Sequence, residues 1–166
     1  MAKVQKITTF LWFNDQAEEA ARFYVSIFKD SAIGTITRYG KEGVEIHGKP
    51  PGSVLTVSFR LEGQEFTALN GGPQFTFNEA ISFVVHCRTQ AEIDRYWEKL
   101  CRGGDKKAQQ CGWLKDKYGL SWQIVPTALP ALLSDPDGEK SGRVMKALLR
   151  MKKLDMATLR RAYNSK

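Results

Sequence analysis

The chain contains two stretches, 74 positions apart, that follow one plan. The apolar segment 7–13 leads into a helical pattern that begins at Asp15-x-x-Glu18, and the apolar segment 81–87 leads into one that begins at Thr89-x-x-Glu92. Self-similarity at a fixed offset predicts two copies of one supersecondary unit that pack together. The place where the two copies meet is therefore the first place to look for a site.

The rest of each copy predicts strands. In the first copy, strands are expected at 31–40, at 53–61, where side chains alternate between two faces with period two, and at 64–69, which forms a hairpin with 53–61. In the second copy, strands are expected at 108–115 and 120–125, with 108–110 as a separate short strand that would complete the set. From Leu129 onward the pattern is helical. The order β-α-β-β-β, twice, predicts an α+β fold with modules at about 5–73 and 79–126.

The helix of each copy begins with a capping-box pattern. In Asp15-x-x-Glu18 and Thr89-x-x-Glu92, the first side chain accepts hydrogen bonds from the free amides of the first turn, and the glutamate reaches back to the chain before it. Both helices are predicted to start at these residues.

Composition places the chain among soluble globular proteins, because 42% of its 166 residues are apolar and 26% are charged. No apolar run is long enough to span a bilayer, and the first residues lack a signal-peptide core, so a cytoplasmic location is expected. Three cysteines without Cys-x-x-Cys spacing argue against a disulfide framework and a structural zinc site.

The net charge of +7 comes entirely from a predicted basic extension at 139–166, which holds nine basic and two acidic residues, whereas 1–138 is neutral overall. Val144, Leu148 and Met151 form an apolar stripe, which favours packing on the body or across a dimer. Tyr163 is the only aromatic residue of the extension. Nucleic-acid and membrane binding are therefore disfavoured, and contact with an acidic protein partner stays an alternative.

Three motifs carry a family resemblance. They are Phe10-Leu11-Trp12-Phe13, Leu69-Asn70-Gly71-Gly72-Pro73, and the long stretch from Cys111-Gly112-Trp113 to Ser121-Trp122-Gln123. Together they resemble the glyoxalase/bleomycin-resistance (vicinal oxygen chelate) superfamily, and within it the PhnB-like branch labelled "3-demethylubiquinone-9 3-methyltransferase-like". The resemblance implies two βαβββ modules that form curved mixed sheets around a cavity, commonly in a homodimer.

The resemblance also locates the superfamily's metal ligands. These positions fall on Thr9, on or near Asn70, on Ala80 or Ser82, and on or near Gln123, and none of them is a histidine or a carboxylate. Hydroxyl and amide oxygens alone offset the dehydration of a divalent metal poorly. We therefore expect no metal and no cofactor. The two histidines, His47 and His86, suggest no replacement ligand set.

Side chains alternate between the two faces of a strand, and this alternation predicts which residues line the site if the two copies are offset by one further residue. The residues expected on the concave face are Thr9, Leu11, Asn70, Ser82, Cys111, Trp113 and Gln123. The residues expected in the core under the helices are Phe10, Trp12, Phe83, Trp122 and Ile124. Such a face either binds an uncharged or aromatic small molecule, or it is a filled interior in which its polar side chains bond to one another.

The resulting hypothesis is a metal-independent small-molecule-binding protein. One alternative is a metal-independent enzyme in which Cys111 is the nucleophile, activated by Lys115 or Lys117. Another is an interaction protein that uses the basic extension. The methyltransferase label has no support from the residues, because Gly71-Gly72 does not lie between a strand and a helix as a nucleotide-binding turn does. It is interpreted as a turn that needs positive φ.

Overall fold

The computed structural model describes residues 5–165 and divides into two compact units, Met1–Thr76 and Phe77–Lys166. The first unit is a four-stranded mixed sheet with one long helix. Its elements are β1 (Thr9–Phe13), α1 (Ala17–Ile27), β2 (Ala32–Arg38), α2 (Val44–His47), β3 (Val54–Leu61) and β4 (Gln64–Asn70). The strand order is β1-β4-β3-β2, with β1 parallel to β4 and the other pairs antiparallel.

The second unit has a three-stranded mixed sheet and carries the C-terminal helices. Its elements are β5 (Phe83–Cys87), α3 (Gln90–Cys101), a 3₁₀ turn (Lys106–Ala108), β6 (Trp113–Lys115), β7 (Ser121–Pro126), α4 (Leu129–Leu133), α5 (Gly138–Leu148) and α6 (Met156–Asn164). The strand order is β5-β7-β6, with β5 parallel to β7. The predicted α+β class with two small mixed sheets is confirmed. The predicted strand at 108–110 is wrong, because Ala108 ends the 3₁₀ turn and Gln110 makes only a single bridge, to Trp113.

The repeat holds at a strict offset of 74. β1 and β5 are each five residues long, and they begin at Thr9 and Phe83. Both lie parallel to the last strand of their own sheet, with Thr9 beside Phe66 and Phe83 beside Trp122. The one-residue slip expected from the sequence is therefore wrong.

Without the slip, the predicted faces of the first sheet are reversed. Leu11 and Phe13 are buried, and the Ala68 beside Leu11 is buried as well, whereas Phe10 is 62% exposed. Since side chains alternate along a strand, Thr9 shares the helix-facing row with Leu11. The assignment of Thr9, Leu11 and Asn70 to the concave face was wrong, as was that of Phe10 to the core.

The predicted faces of the second sheet are correct. Trp122 and Ile124 are buried against α3, whose buried residues include Ile93 and Leu100. Gln123 lies on the opposite face. The faces were therefore predicted correctly in the second sheet and inverted in the first. The assumed slip of one residue between the copies moved every side chain of the first sheet to the opposite face.

The two long helices begin differently. α3 starts as predicted, since Thr89 Oγ1 accepts from the Glu92 amide at 3.2 Å, while Glu92 reaches back to the Arg88 amide. The predicted cap at Asp15 is wrong. The residue before α1 is Gln16, whose side chain makes no capping bond, and the Ala17 amide donates instead to Asn70 Oδ1.

A strand residue thus replaces the missing cap of α1. The position in β7 that corresponds to Asn70 is Pro126, since Phe13 lies beside Asn70 and Cys87 beside Pro126. Proline has no polar side chain to offer, so α3 depends on its own N-cap residue. The two copies satisfy the same orphan amides by different routes.

The C-terminal helices form a small core of their own in the second unit. Asp137 caps α5 and Asp155 caps α6. The buried cluster consists of Leu129, Val144, Leu148, Leu154 and Leu159. The apolar stripe of α5 therefore packs within this unit. No helix within residues 5–165 combines the length and the apolar character that crossing a membrane requires.

Candidate functional site

A tight hairpin turn before β6 presents Cys111. The two residues that flank it, Gln110 and Trp113, exchange both backbone hydrogen bonds, at 3.2 and 2.8 Å. The central residues Cys111 and Gly112 have φ of +52° and +86°, the sign that two-residue type I′ turns need at both positions. Glycine adopts this backbone freely, but cysteine does so at a cost. Backbone strain of this kind is concentrated at functional sites.

The C-terminal segment holds this turn in place. The Cys111 amide donates to the Met151 carbonyl and the Gly112 amide to the Lys152 carbonyl, both at 2.8 Å. A Cβ at Gly112 would come within 3.1 Å of the Leu154 side chain and of the Ile124 carbonyl. The absence of a side chain at Gly112 therefore allows the extension to lie directly against the turn.

The turn borders a cleft of about 460 Å³ within the second unit. This volume is in the range typical of small-molecule sites. The lining residues are Glu79, Lys107, Ala108, Gln110, Cys111 and Trp113. Apolar surface from Trp113 and Ala108 meets neutral polar groups from Gln110 and Cys111, with charged groups beside them.

The charges around the cleft are partly paired. Glu79 forms an ion pair with Lys115, which lies two residues beyond Trp113 and so projects from the same face of β6. The hydrogen bond from Lys115 is the main cause of the lowered pKa of Glu79. The Glu79 carboxylate is therefore ionised at neutral pH. Within residues 5–165, Lys107 takes part in no ion pair.

The face of the second sheet opposite α3 adjoins the cleft. Gln123 lies beside Trp113 in the β6–β7 register, and its Nε2 donates to Ser82 Oγ at 2.9 Å. Ser121 lies beside Lys115 and is 1% exposed, and its hydroxyl has no hydrogen-bond partner among the described residues. The second unit thus brings together four predicted site residues, namely Ser82, Cys111, Trp113 and Gln123.

The other predicted site residues lie in the first unit, where Leu11 and Asn70 have structural roles. Leu11 is core. Both polar atoms of the Asn70 amide are engaged, because Oδ1 accepts from the Ala17 amide at 2.8 Å and Nδ2 donates to the Val54 carbonyl at 3.1 Å. Thr9 stands at the start of the same row as Leu11.

The double glycine after Asn70 serves to pack an indole ring. A Cβ at Gly71 would lie 2.2 Å from the Trp12 ring. Gly72 has a φ of +103°, and its carbonyl accepts from Trp12 Nε1 at 2.9 Å. The prediction of a turn that needs positive φ is confirmed for Gly72.

The three thiols differ in their surroundings. Burial raises the pKa of Cys87 to about 12, with a further contribution from the charge of Glu92. Burial also raises the pKa of Cys101, at the end of α3. Cys111 alone among the three lines the cleft. No three His, Cys, Asp or Glu residues within the described part of the chain could together hold a metal ion.

Sequence reasoning did not identify Glu79, Lys107, Ala108 and Gln110 as site residues. A partial signal was present, because Gln110-Cys111-Gly112-Trp113 places a glycine at the second central position of a two-residue hairpin turn. No sequence pattern indicates that Glu79 meets Lys115, 36 positions further along the chain.

The comparisons with known proteins agree on one family. The family model described as 3-demethylubiquinone-9 3-methyltransferase matches residues 5–125. The PhnB protein of Bacillus cereus, provisionally described as a 3-demethylubiquinone-9 3-methyltransferase, is 41% identical, with 74% of this chain and 100% of that chain covered and a TM-score of 0.63.

Two further solved structures are similar. A protein from Staphylococcus aureus is 33% identical over 74% of this chain and 96% of that chain, with a TM-score of 0.33. Protein PA1353 from Pseudomonas aeruginosa is 15% identical over 74% of this chain and 98% of that chain, with a TM-score of 0.55. This similarity concerns the fold alone. A comparison with curated proteins found no significant match.

Proposed function

The chain belongs to the 3-demethylubiquinone-9 3-methyltransferase family, and we propose that it is a PhnB-like member of the glyoxalase/bleomycin-resistance superfamily that binds a small molecule in the cleft beside Cys111. The observation that carries this proposal is the cleft itself, which combines a volume of about 460 Å³ with one aromatic wall and a fixed, strained turn. Sites for small molecules are concave and mostly apolar, with a few placed polar groups.

Binding at this cleft requires no metal. Its polar groups are the Gln110 amide, the Cys111 thiol, the Lys107 amine and the Glu79 carboxylate. Lys115 already neutralises the carboxylate. A divalent cation needs several anionic or imidazole donors to replace its water, and this set supplies one carboxylate and one thiol.

The test is a fragment screen on the ¹⁵N-labelled full chain, followed by substitution of the aromatic wall. Trp113→Ala is expected to weaken any cleft ligand about tenfold or more, because it removes most of the stacking surface. Phe75→Ala is the matched control, since Phe75 is a 65% exposed aromatic residue that does not line the cleft. Ligands whose affinity is unchanged in Trp113→Ala would contradict the proposal.

A second candidate function is catalysis by the Cys111 thiol. The observation that favours it is the positive φ of Cys111 in a cleft wall, since strained residues concentrate at active sites. Alkylation by iodoacetamide should then be faster at Cys111 than at Cys101, and Cys87 should react only after unfolding. Equal rates at Cys111 and Cys101 would rule out an activated nucleophile.

Methyl transfer, the activity in the family's description, is not part of this proposal. The double glycine at 71–72, the one candidate for a nucleotide-binding turn, accommodates the Trp12 indole. Calorimetry with S-adenosylmethionine checks this point, and stoichiometric binding would require methyl transfer to be reconsidered.

A further inference from the structure

We propose that the ligand of the Cys111 cleft is a monoanion with a planar apolar body, of the chemical class of aromatic carboxylates. This inference rests on the proposed function, because it assigns a ligand class to the same cleft. Lys107 is assigned as the partner of the anionic group and Trp113 as the surface on which the planar body stacks.

The charges that surround the cleft indicate the sign of the ligand's charge. Glu79 and Lys115 neutralise each other. The 3₁₀ turn and its N-cap residue Asp105 carry one carboxylate and two ammonium groups, a net charge of +1, and the Asp105 carboxylate accepts from the Lys107 backbone amide at 2.8 Å. The Lys107 ammonium is left as one uncompensated positive charge at the cleft wall. A single negative charge on the ligand complements it.

The Glu79–Lys115 pair also sets an upper limit on ligand charge. A second anionic group would lie in a cleft that already contains the Glu79 carboxylate, whose pKa is lowered and which therefore stays charged at neutral pH. Like charges in one site repel each other. A monoanion meets Lys107 without this penalty, whereas a dianion has to displace Glu79 from Lys115.

The position of Trp113 gives the shape of the ligand. Its backbone is fixed by two hydrogen bonds to Gln110 and by its place beside Gln123 in the sheet. Its indole is half-buried and lines the cleft together with the small side chain of Ala108. An aromatic surface held on a rigid strand favours a flat apolar partner, and Gln110 provides neutral amide hydrogens for a second carboxylate oxygen.

The experiment compares 2-naphthoate with 2-naphthamide, which have the same ring system and differ in charge. Affinities are measured by ¹⁵N chemical-shift titration of the full chain. We expect naphthoate to bind about five- to tenfold more tightly than naphthamide, because one partly exposed hydrogen bond between charged groups contributes a difference of this size. The difference should shrink with added salt.

Lys107→Gln should reduce this difference to about twofold or less, because it removes the charge and keeps a polar side chain. Lys106→Gln, one position earlier on the same turn and absent from the cleft lining, is the matched control and should keep the difference. Equal affinity of the two compounds, or a difference that survives in Lys107→Gln, would overturn the ligand class.

The two proposals fail in different ways. If neither naphthalene compound binds and other fragments shift the signals of Trp113 and Cys111, the ligand class is wrong and the binding function stands. If no compound of a diverse fragment set shifts these signals, the binding function itself is wrong.

Discussion

The backbone amide of Cys111 donates a hydrogen bond of 2.8 Å to the carbonyl of Met151. This bond joins the cleft to the basic extension, whose charge had suggested a role in contacting partners. With the neighbouring bond from Gly112 to Lys152, it makes the extension a support for the turn that carries Cys111. Part of the extension is therefore needed to shape the cleft wall.

Leu154→Ala is expected to destabilise the protein and loosen this support. Leu154 is fully buried, and its side chain lies against Gly112. Removing a buried leucine side chain costs about 3 kcal/mol in the free energy of unfolding, which urea denaturation measures. Leu149→Ala is the control, because Leu149 is 58% exposed and its loss should change stability by less than about 0.5 kcal/mol. Similar losses in both variants would contradict the assigned packing.

Cys111→Asn is expected to stabilise the protein by about 0.5–1 kcal/mol, because Asn-Gly is the preferred pair in type I′ turns and asparagine tolerates positive φ. Thermal unfolding measures the effect. Cys101→Asn, at the end of α3, replaces a cysteine where φ is not positive and should bring no gain. A loss of stability in Cys111→Asn would mean that the turn is not strained by its cysteine.

Asn70→Ala is expected to cost about 2–3 kcal/mol of unfolding free energy, because it removes one buried and one partly buried hydrogen bond, the first of which caps α1. Asn70→Asp should recover part of this loss, since a carboxylate still accepts from the Ala17 amide but cannot donate to the Val54 carbonyl. Urea denaturation of both variants provides the measurement. If Asn70→Asp is as unstable as Asn70→Ala, the capping bond contributes nothing.

The Glu79–Lys115 pair should make stability depend on pH in acid. The pKa of Glu79 is lowered from 4.5, chiefly by Lys115, so its contribution is present above pH 4.5 and is lost as the pH falls through the lowered value. Glu79→Gln should therefore flatten the decline in unfolding free energy below pH 4.5. Glu139→Gln, at a 92% exposed carboxylate, controls for the change in net charge, and an equal effect there would contradict the assignment.

Much of the fold was predictable from the sequence, because the signals are local. The repeat offset, the helix stripes and caps such as Thr89, Asp137 and Asp155 depend on residues close together in the chain. The first helix is the exception, because its amide is satisfied by Asn70, 53 positions away. A capping pattern at Asp15 cannot reveal that a strand residue is better placed.

The sequence by itself determined that two copies of one unit exist and which residues of each strand share a face, since alternation follows from the backbone. It did not determine which face the helix covers. That choice depends on packing, and it buried Leu11 while leaving Phe10 exposed. Only the tertiary structure brought Glu79 to Lys115 and Met151 to Cys111, because contacts between distant segments are chosen by the shape and charge of the folded surfaces.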